Sequence, residues 1–175
     1  VGYGAWKLVE TEFAPSKRNH FAMAALGNGK ALLYGGLDGD GNSLSDAYIV
    51  SVTINSKTKL KEVDWSKTKD APVKRAAHAM AALEPGKILM YGGYANGQIF
   101  NDAYFFSITN DKTGKEEGEW IKTKDGPGKR DAHAMETLGS GKILMCGGFN
   151  GTNVLSGSFI FSTNSQTGKE EGQWT

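Results

Sequence analysis

Residues 75–93 read RAAHAMAALEPGKILMYGG, and the same frame stands at 18–36 as RNHFAMAALGNGKALLYGG and at 130–148 as RDAHAMETLGSGKILMCGG. The leading arginines, Arg18, Arg75 and Arg130, are 57 and 55 residues apart, as are the closing glycine pairs Gly35-Gly36, Gly92-Gly93 and Gly147-Gly148. Tryptophans keep the register too: Trp6, Trp65, Trp120 and Trp174 follow at steps of 59, 55 and 54 residues. Landmarks repeating in phase mark a repeat architecture, in which each unit buries its apolar faces against its neighbours.

Within each unit the pattern predicts four short strands. HAMAAL from His78, with counterparts HFAMAAL and HAMETL, is the first. A glycine-containing turn leads to KILMYGG, an apolar run long enough for a strand and too short for a helix. DAYFFSI, matching DAYIVSV and GSFIFST, is the third. A polar hairpin such as TNDKTGKEEGE follows, and the fourth strand is expected to open at the tryptophan. Most of these strands are apolar on both faces, which suits sheets stacked between two neighbours. The glycine pair permits positive φ and close approach of an adjacent sheet. Tyr34, Tyr91 and the tryptophans are suited to fill the space between sheets.

A glycine pair after an apolar strand, then an aromatic strand, then a tryptophan, three times over, resembles the kelch repeat. The resemblance covers essentially the whole chain and implies an all-β protein of kelch-type β-propeller blades, each a four-stranded antiparallel sheet. The gap from Tyr104 to Trp120 exceeds the usual kelch spacing and implies an extended hairpin between the third and fourth strands. The third unit departs further, with Phe159 for tyrosine and Gly157-Ser158 for Asp-Ala. Expected boundaries are 1–12 as the outer strand of a preceding blade, then blades at 13–69, 70–124 and 125–175, the last with a truncated outer strand. Three blades leave two apolar sheet faces uncovered, whereas propellers close with about four to eight blades. Two completions follow: further blades in a longer polypeptide, or a second copy forming a six-bladed homodimeric ring.

Composition narrows the function classes. The 175 residues carry 24 glycines, four prolines and a formal net charge of +1, so no basic field asks for nucleic acid. No run reaches the roughly 18 apolar residues of a membrane helix, and VGYGAWKLVE has neither the charged start nor the apolar core of a signal peptide. Cys146 is the one cysteine, so no intramolecular disulfide forms, and its place before a glycine pair reads as a buried core thiol. Asn150-Gly151-Thr152 matches the glycosylation triplet, a pattern often met by chance. Asp38-Gly39-Asp40-Gly41-Asn42 fails the EF-hand template at its sixth and twelfth positions, where Ser43 and Ile49 stand.

Candidate ligand-binding residues fall into three groups. Each unit enters its first strand through Pro-x-Lys-Arg, which places Lys17-Arg18, Lys74-Arg75 and Lys129-Arg130 at matching positions. A guanidinium there either binds a carboxylate or phosphate or ties the blades together, and the tie is preferred for the arginines. The segments after the glycine pairs, LDGDGNSLS, YANGQIFN and FNGTNVLS, vary while the strands repeat, as specificity loops do on a constant scaffold. They offer Tyr94, Phe100 and Phe149 for contact. Glu136 stands where the other units have Ala24 and Ala81, in mid-strand, and must find water or a partner. His20, His78 and His133 read as occupying equivalent positions around a ring, a placement that favours structural roles over convergence on a metal.

The resulting expectation is a non-catalytic interaction module that presents its loops to a protein or carbohydrate partner, without metal or cofactor. Kelch propellers also include a copper oxidase and a sialic acid mutarotase, so a sugar-acting enzyme using channel arginines and Glu136 is the rival. A structural subunit of a larger assembly is the third reading.

Overall fold

The computed structural model describes residues 8–9, 11–57, 61–110, 116–163 and 172–175. Among these residues every regular element is a strand, and no helix is long and apolar enough to cross a membrane. The first blade is β1 (Ala22–Gly27), β2 (Lys30–Tyr34), β3 (Ala47–Ile54) and β4 (Lys61–Lys67). In the second, β5 (Ala79–Glu84) and β6 (Lys87–Tyr91) precede a small hairpin, β7 (Tyr94–Ala95) and β8 (Gln98–Ile99). β9 (Ala103–Asn110) and β10 (Glu116–Lys122) complete that blade. The third comprises β11 (Ala134–Gly139), β12 (Lys142–Cys146), β13 (Ser158–Thr163) and β14 (Gly172–Trp174).

Each blade is an antiparallel meander, with β6 pairing β9 across the β7–β8 hairpin, and the three registers match: Ala24↔Leu32, Ala81↔Leu89 and Glu136↔Leu144. The last strands start earlier than the tryptophans indicated. Trp65 and Trp120 sit within β4 and β10, because the polar hairpin residues extend the ladder to Ile54↔Lys61 and Asn110↔Glu116. Of the expected preceding strand, Trp6, Lys7 and Glu10 lie outside the described residues, and Leu8 and Val9 are not in a strand.

The period of two decides which blade each side chain meets. Along β6, residues Ile88 to Tyr91 are all fully buried, although they point alternately to opposite faces. Ile88 and Met90 pack with Leu32 and Tyr34 of the first blade, while Leu89 and Tyr91 pack with Ile143 and Met145 of the third. Full burial of such a side chain contributes about 1.5–3 kcal/mol, so the interfaces between sheets supply much of the cohesion. The tryptophans finish these interfaces: Trp120 meets Tyr34 at 5.0 Å between ring centroids, and Trp174 meets Tyr91 at 4.9 Å. Gly92 shows why its position excludes a side chain. Its φ is +63°, and a Cβ there would lie 2.4 Å from the Arg130 carbonyl oxygen of the next blade.

Candidate binding face

The Pro-x-Lys-Arg links run along the same end of the blades as the loops between second and third strands. Single bridges join them pairwise, Asn19↔Leu37, Ala76↔Tyr94 and Asp131↔Phe149. Each later link also leans on the preceding blade: the Arg75 amide donates to Leu44 O at 3.1 Å, and the Arg130 amide to Phe100 O at 3.0 Å. Links and loops therefore form one continuous rim.

Within that rim the arginines turn inward. Arg75 is fully buried, donating to Gly92 O at 2.7 Å and to both carboxylate oxygens of Asp102 at 2.8 and 3.0 Å. Its Nε donates at 3.2 Å to the Tyr34 phenol of the first blade, so one side chain fastens two sheets. The Phe100 ring lies under its guanidinium, 4.8 Å from Cζ to the ring centroid. Burial opposes the charge, but the Asp102 bond and the Tyr34 and Asp102 fields outweigh it and hold the Arg75 pKa above its ordinary value. Arg18 repeats the fork on Asp46, at 2.7 and 2.8 Å, and donates to Gly35 O. Partial burial pushes the Asp46 carboxyl upward, yet the bonds from Arg18 and Tyr48 leave it below the usual carboxylate value. Arg130 keeps the bond to Gly147 O at 2.9 Å, but Gly157 stands where the carboxylate should be.

Lys17, Lys74 and Lys129 are not drawn in. All three are exposed, and no hydrogen bond or ion pair engages their ammonium groups among the described residues. Tyr94 and Phe149 bridge to the links that carry Lys74 and Lys129; Phe149 is 38% exposed and Tyr94 is half-buried. Phe100, half-buried and stacked on Arg75, belongs more to the scaffold than to the surface.

The histidines require a correction. His20 aligns with Ala77 and Ala132, and all three take a positive φ near +50°. The residue equivalent to His78 and His133 in the first blade is Phe21. It approaches Gly36 as His78 approaches Gly93 and His133 approaches Gly148. His78 and His133 are wedges between blades: each ring lies over a glycine of the preceding blade, Gly35 or Gly92, and against its tyrosine, at 4.6 Å from Tyr34 and 5.4 Å from Tyr91. Among the described residues, neither ring nitrogen of either residue makes a hydrogen bond of good geometry. Burial, assisted by the Arg130 charge and only partly countered by the Tyr91 backbone, lowers the His133 pKa to about 4. Burial does the same to His78, with Arg75 and His133 adding to it, and takes it well below the ordinary value.

A family model described as the KLHDC2/KLHL20/DRC7 Kelch-repeats domain matches residues 3–171. The chain belongs to the kelch-repeat family. Among curated kelch relatives, Adagio protein 3 of Arabidopsis thaliana is 28% identical over 86% of this chain and 23% of its own length. An F-box/kelch-repeat protein of the same plant is 25% identical over 89% of this chain and 32% of its own. The solved structure of YjhT superposes with a TM-score of 0.70 at 14% identity, covering 91% of this chain and 46% of that one, a likeness of fold. The chain thus spans about a quarter of the length of the Adagio relatives it matches.

On the kelch scaffold the remaining candidates separate from the rim. Glu136 is exposed on the innermost strand, its Oε1 accepting only the Thr137 amide at 2.9 Å. It borders a cavity of about 270 Å³ between the inner strands, lined also by Ala24, Ala81 and Met135. None of the three arginines lines that cavity, because each guanidinium is drawn to the rim by its glycine carbonyl. Cys146 is exposed, contrary to the core reading. Tyr34 and Tyr91 at the same repeat position are covered by the following blade, and nothing among the described residues covers that face of the third. Asp38 serves its own loop, accepting the Asp40 and Asn42 amides at 3.0 and 2.9 Å. Sequence reading missed the aspartates Asp46 and Asp102. Their signal was present, an aspartate 28 or 27 residues after each of the first two arginines and glycine after the third.

Proposed function

We propose that this kelch chain is a non-catalytic interaction module whose loop-and-link rim engages a protein or carbohydrate partner. One observation carries the reading: the rim's lysines Lys17, Lys74 and Lys129 are exposed and unengaged among the described residues, and the rim also exposes Phe149, while Arg18 and Arg75 are committed to carboxylates of the scaffold. Cationic stems and an aromatic ring on one rim suit the acidic side chains of a protein or the hydroxyl-rich face of a sugar. The sugar-acting alternative needs arginines and Glu136 around one ligand, and their separation weakens it.

The test compares two variants on glycan and peptide arrays. Replacing Lys74, Lys129 and Phe149 by alanine should abolish ligands that the wild type retains, while Glu136→Gln should leave them. The opposite pattern would move the site to the inner cavity and favour the enzyme.

The uncovered faces call for additional blades, supplied by a longer polypeptide or by a second copy of this chain. Gly148 offers a seat like those of Gly36 and Gly93, whose amides donate to the Arg75 and Arg130 carbonyls of the next blade at 2.9 Å. A covering blade should therefore enter with a link and first strand built like those of β5 or β11.

A further inference from the structure

We propose that the third blade holds a carboxylate-binding notch, formed by the Arg130 guanidinium over Phe159 and opened by glycine at position 157. In the first two blades the corresponding cation is satisfied from within its own blade. Arg18 forks onto Asp46 and Arg75 onto Asp102, and the Tyr48 phenol donates a further bond to Asp46 at 3.0 Å. The third blade has lost both members of this arrangement together: Gly157 replaces the aspartate and Phe159 replaces the tyrosine that steadied it. The arginine has stayed. Arg130 is 4% exposed, its Cζ lies 5.0 Å from the centroid of the Phe159 ring, and its Nη1 donates to Gly147 O. Its Nε makes no hydrogen bond of good geometry among the described residues, although the Tyr91 phenol, counterpart of the Tyr34 hydroxyl that Arg75 reaches, lies close enough to interact with the guanidinium. No carboxylate among the described residues forms an ion pair with it.

A buried guanidinium without an anion is costly, and one partner of suitable shape removes that cost. The shape is set by the two intact blades, where a planar carboxylate accepts two parallel N–H bonds from one face of the fork. The seat is reachable, since the Asp46 and Asp102 side chains are 21% and 16% exposed and Gly157 itself is exposed. A following blade would not fill it by the rule of the repeat, because the aspartate comes from the arginine's own blade. The notch stands apart from the proposed partner of the lysine rim, and neither depends on the other.

The ligand chemistry is a carboxylate, either a small free acid or an aspartate or glutamate of a partner. The experiment follows the Arg130 Nε–H resonance by ¹⁵N NMR while sodium acetate is titrated against sodium chloride at equal ionic strength. A second arm titrates an acetylated, amidated Gly-Asp-Gly peptide against its Gly-Asn-Gly analogue. A saturable shift with acetate, several-fold larger than with chloride, is expected and identifies a site open to free acids. Saturation by the aspartyl peptide alone assigns the notch to a protein side chain. Gly157→Asp should restore the internal pair, abolish the response and raise the melting temperature by about 2–4 °C. Gly157→Ala should keep the response. The glycine has no positive φ, and an added Cβ meets only the edge of the Phe159 ring at 3.1 Å, so both variants are compatible with the backbone. Equal shifts with acetate and chloride, no shift with either carboxylate, or an unchanged response in Gly157→Asp would overturn the proposal.

Discussion

Acidification should loosen the contacts between blades before it protonates the carboxylates. His133 lies against Tyr91 over Gly92 with neither ring nitrogen in a well-formed hydrogen bond among the described residues, and its pKa falls from 6.5 to about 4 on folding. A histidine whose folded pKa is depressed favours the native state fully above its unfolded pKa, and that contribution is lost as pH falls through 6.5 toward 4, because the unfolded chain takes the proton first. Each pH unit in that window removes about 1.4 kcal/mol, so by pH 5 His133 alone costs roughly 2 kcal/mol relative to pH 7.5. For a domain of this size that lowers the melting temperature by about 4–8 °C. His78 acts with the same sign, facing Tyr34, Arg75 and His133. Asp46 loses its stabilising charge only below the usual carboxylate range, in a separate window. The assay is thermal unfolding by circular dichroism from pH 7.5 to 4.5 for the wild type, His133→Phe and the His78→Phe/His133→Phe double variant. Phenylalanine is the choice because the first blade carries Phe21 at this position. The readout is the slope of melting temperature against pH, which survives any uniform loss from the larger ring. The slope should flatten in His133→Phe and nearly vanish in the double variant. A double variant as acid-labile as the wild type would refute the assignment.

Asp102→Ala strands the fully buried Arg75 charge, and urea unfolding should show a loss of about 3–5 kcal/mol. Gly118 in β10 is the floor on which the Phe106 ring lies, and a Cβ there would sit 2.4 Å from that ring. Gly118→Ala should therefore cost about 1–3 kcal/mol and disturb tryptophan fluorescence, since Phe106 and Trp120 are in edge contact at 5.0 Å. Cys146 reports on its own face: if a further blade covers the third, native protein should react with maleimide far more slowly than unfolded protein, and equal rates would show the face open.

The architecture was legible because it rests on period and on residues whose role is local. The three arginine-to-glycine frames, the strands apolar on both faces and the tryptophan spacing each point to stacked four-stranded sheets, and the packing of Ile88 and Met90 one way and Leu89 and Tyr91 the other is what two-faced apolarity implies. What escaped depended on partners distant in sequence. The Arg75–Asp102 fork spans 27 residues and could be seen only once both were known to meet at the rim. The histidine register failed because His20 is one residue out of phase with His78, a shift that a single matching letter conceals. Exposure of Cys146 depends on the neighbouring sheet, which residues of its own strand do not reveal.

The departures of the first and third blades are complementary, so closure by a second copy, one of the two proposed completions, can be tested directly. Between blades within the chain, the tyrosine before the glycine pair bonds to the link of the next blade: the Tyr91 phenol donates to Gly128 O at 2.6 Å, and Tyr34 bonds to Val73 O. The third blade has Cys146 at that position and offers no phenol. The first blade needs none, because Arg18 donates to its own link, from Nε to Ser16 O at 3.1 Å and from Nη2 to Ser16 Oγ at 2.9 Å. It also presents Phe21 in place of the histidine wedge, an apolar ring that 40% exposure leaves ready for a covering surface. A face without the hydroxyl thus meets a face that has satisfied its own carbonyl, whereas a repeat-like blade on either side would waste one of the two devices. Two copies joined third blade to first would close six blades with two such junctions. Sedimentation or native mass spectrometry should then find twice the 18.8 kDa chain mass. Introducing a charge at the junction, Phe21→Asp, should release monomers and speed maleimide labelling of Cys146 in the same protein. A monomeric wild type, or a dimer that Phe21→Asp leaves intact with Cys146 still open, would assign the covering of these faces to something other than a second copy.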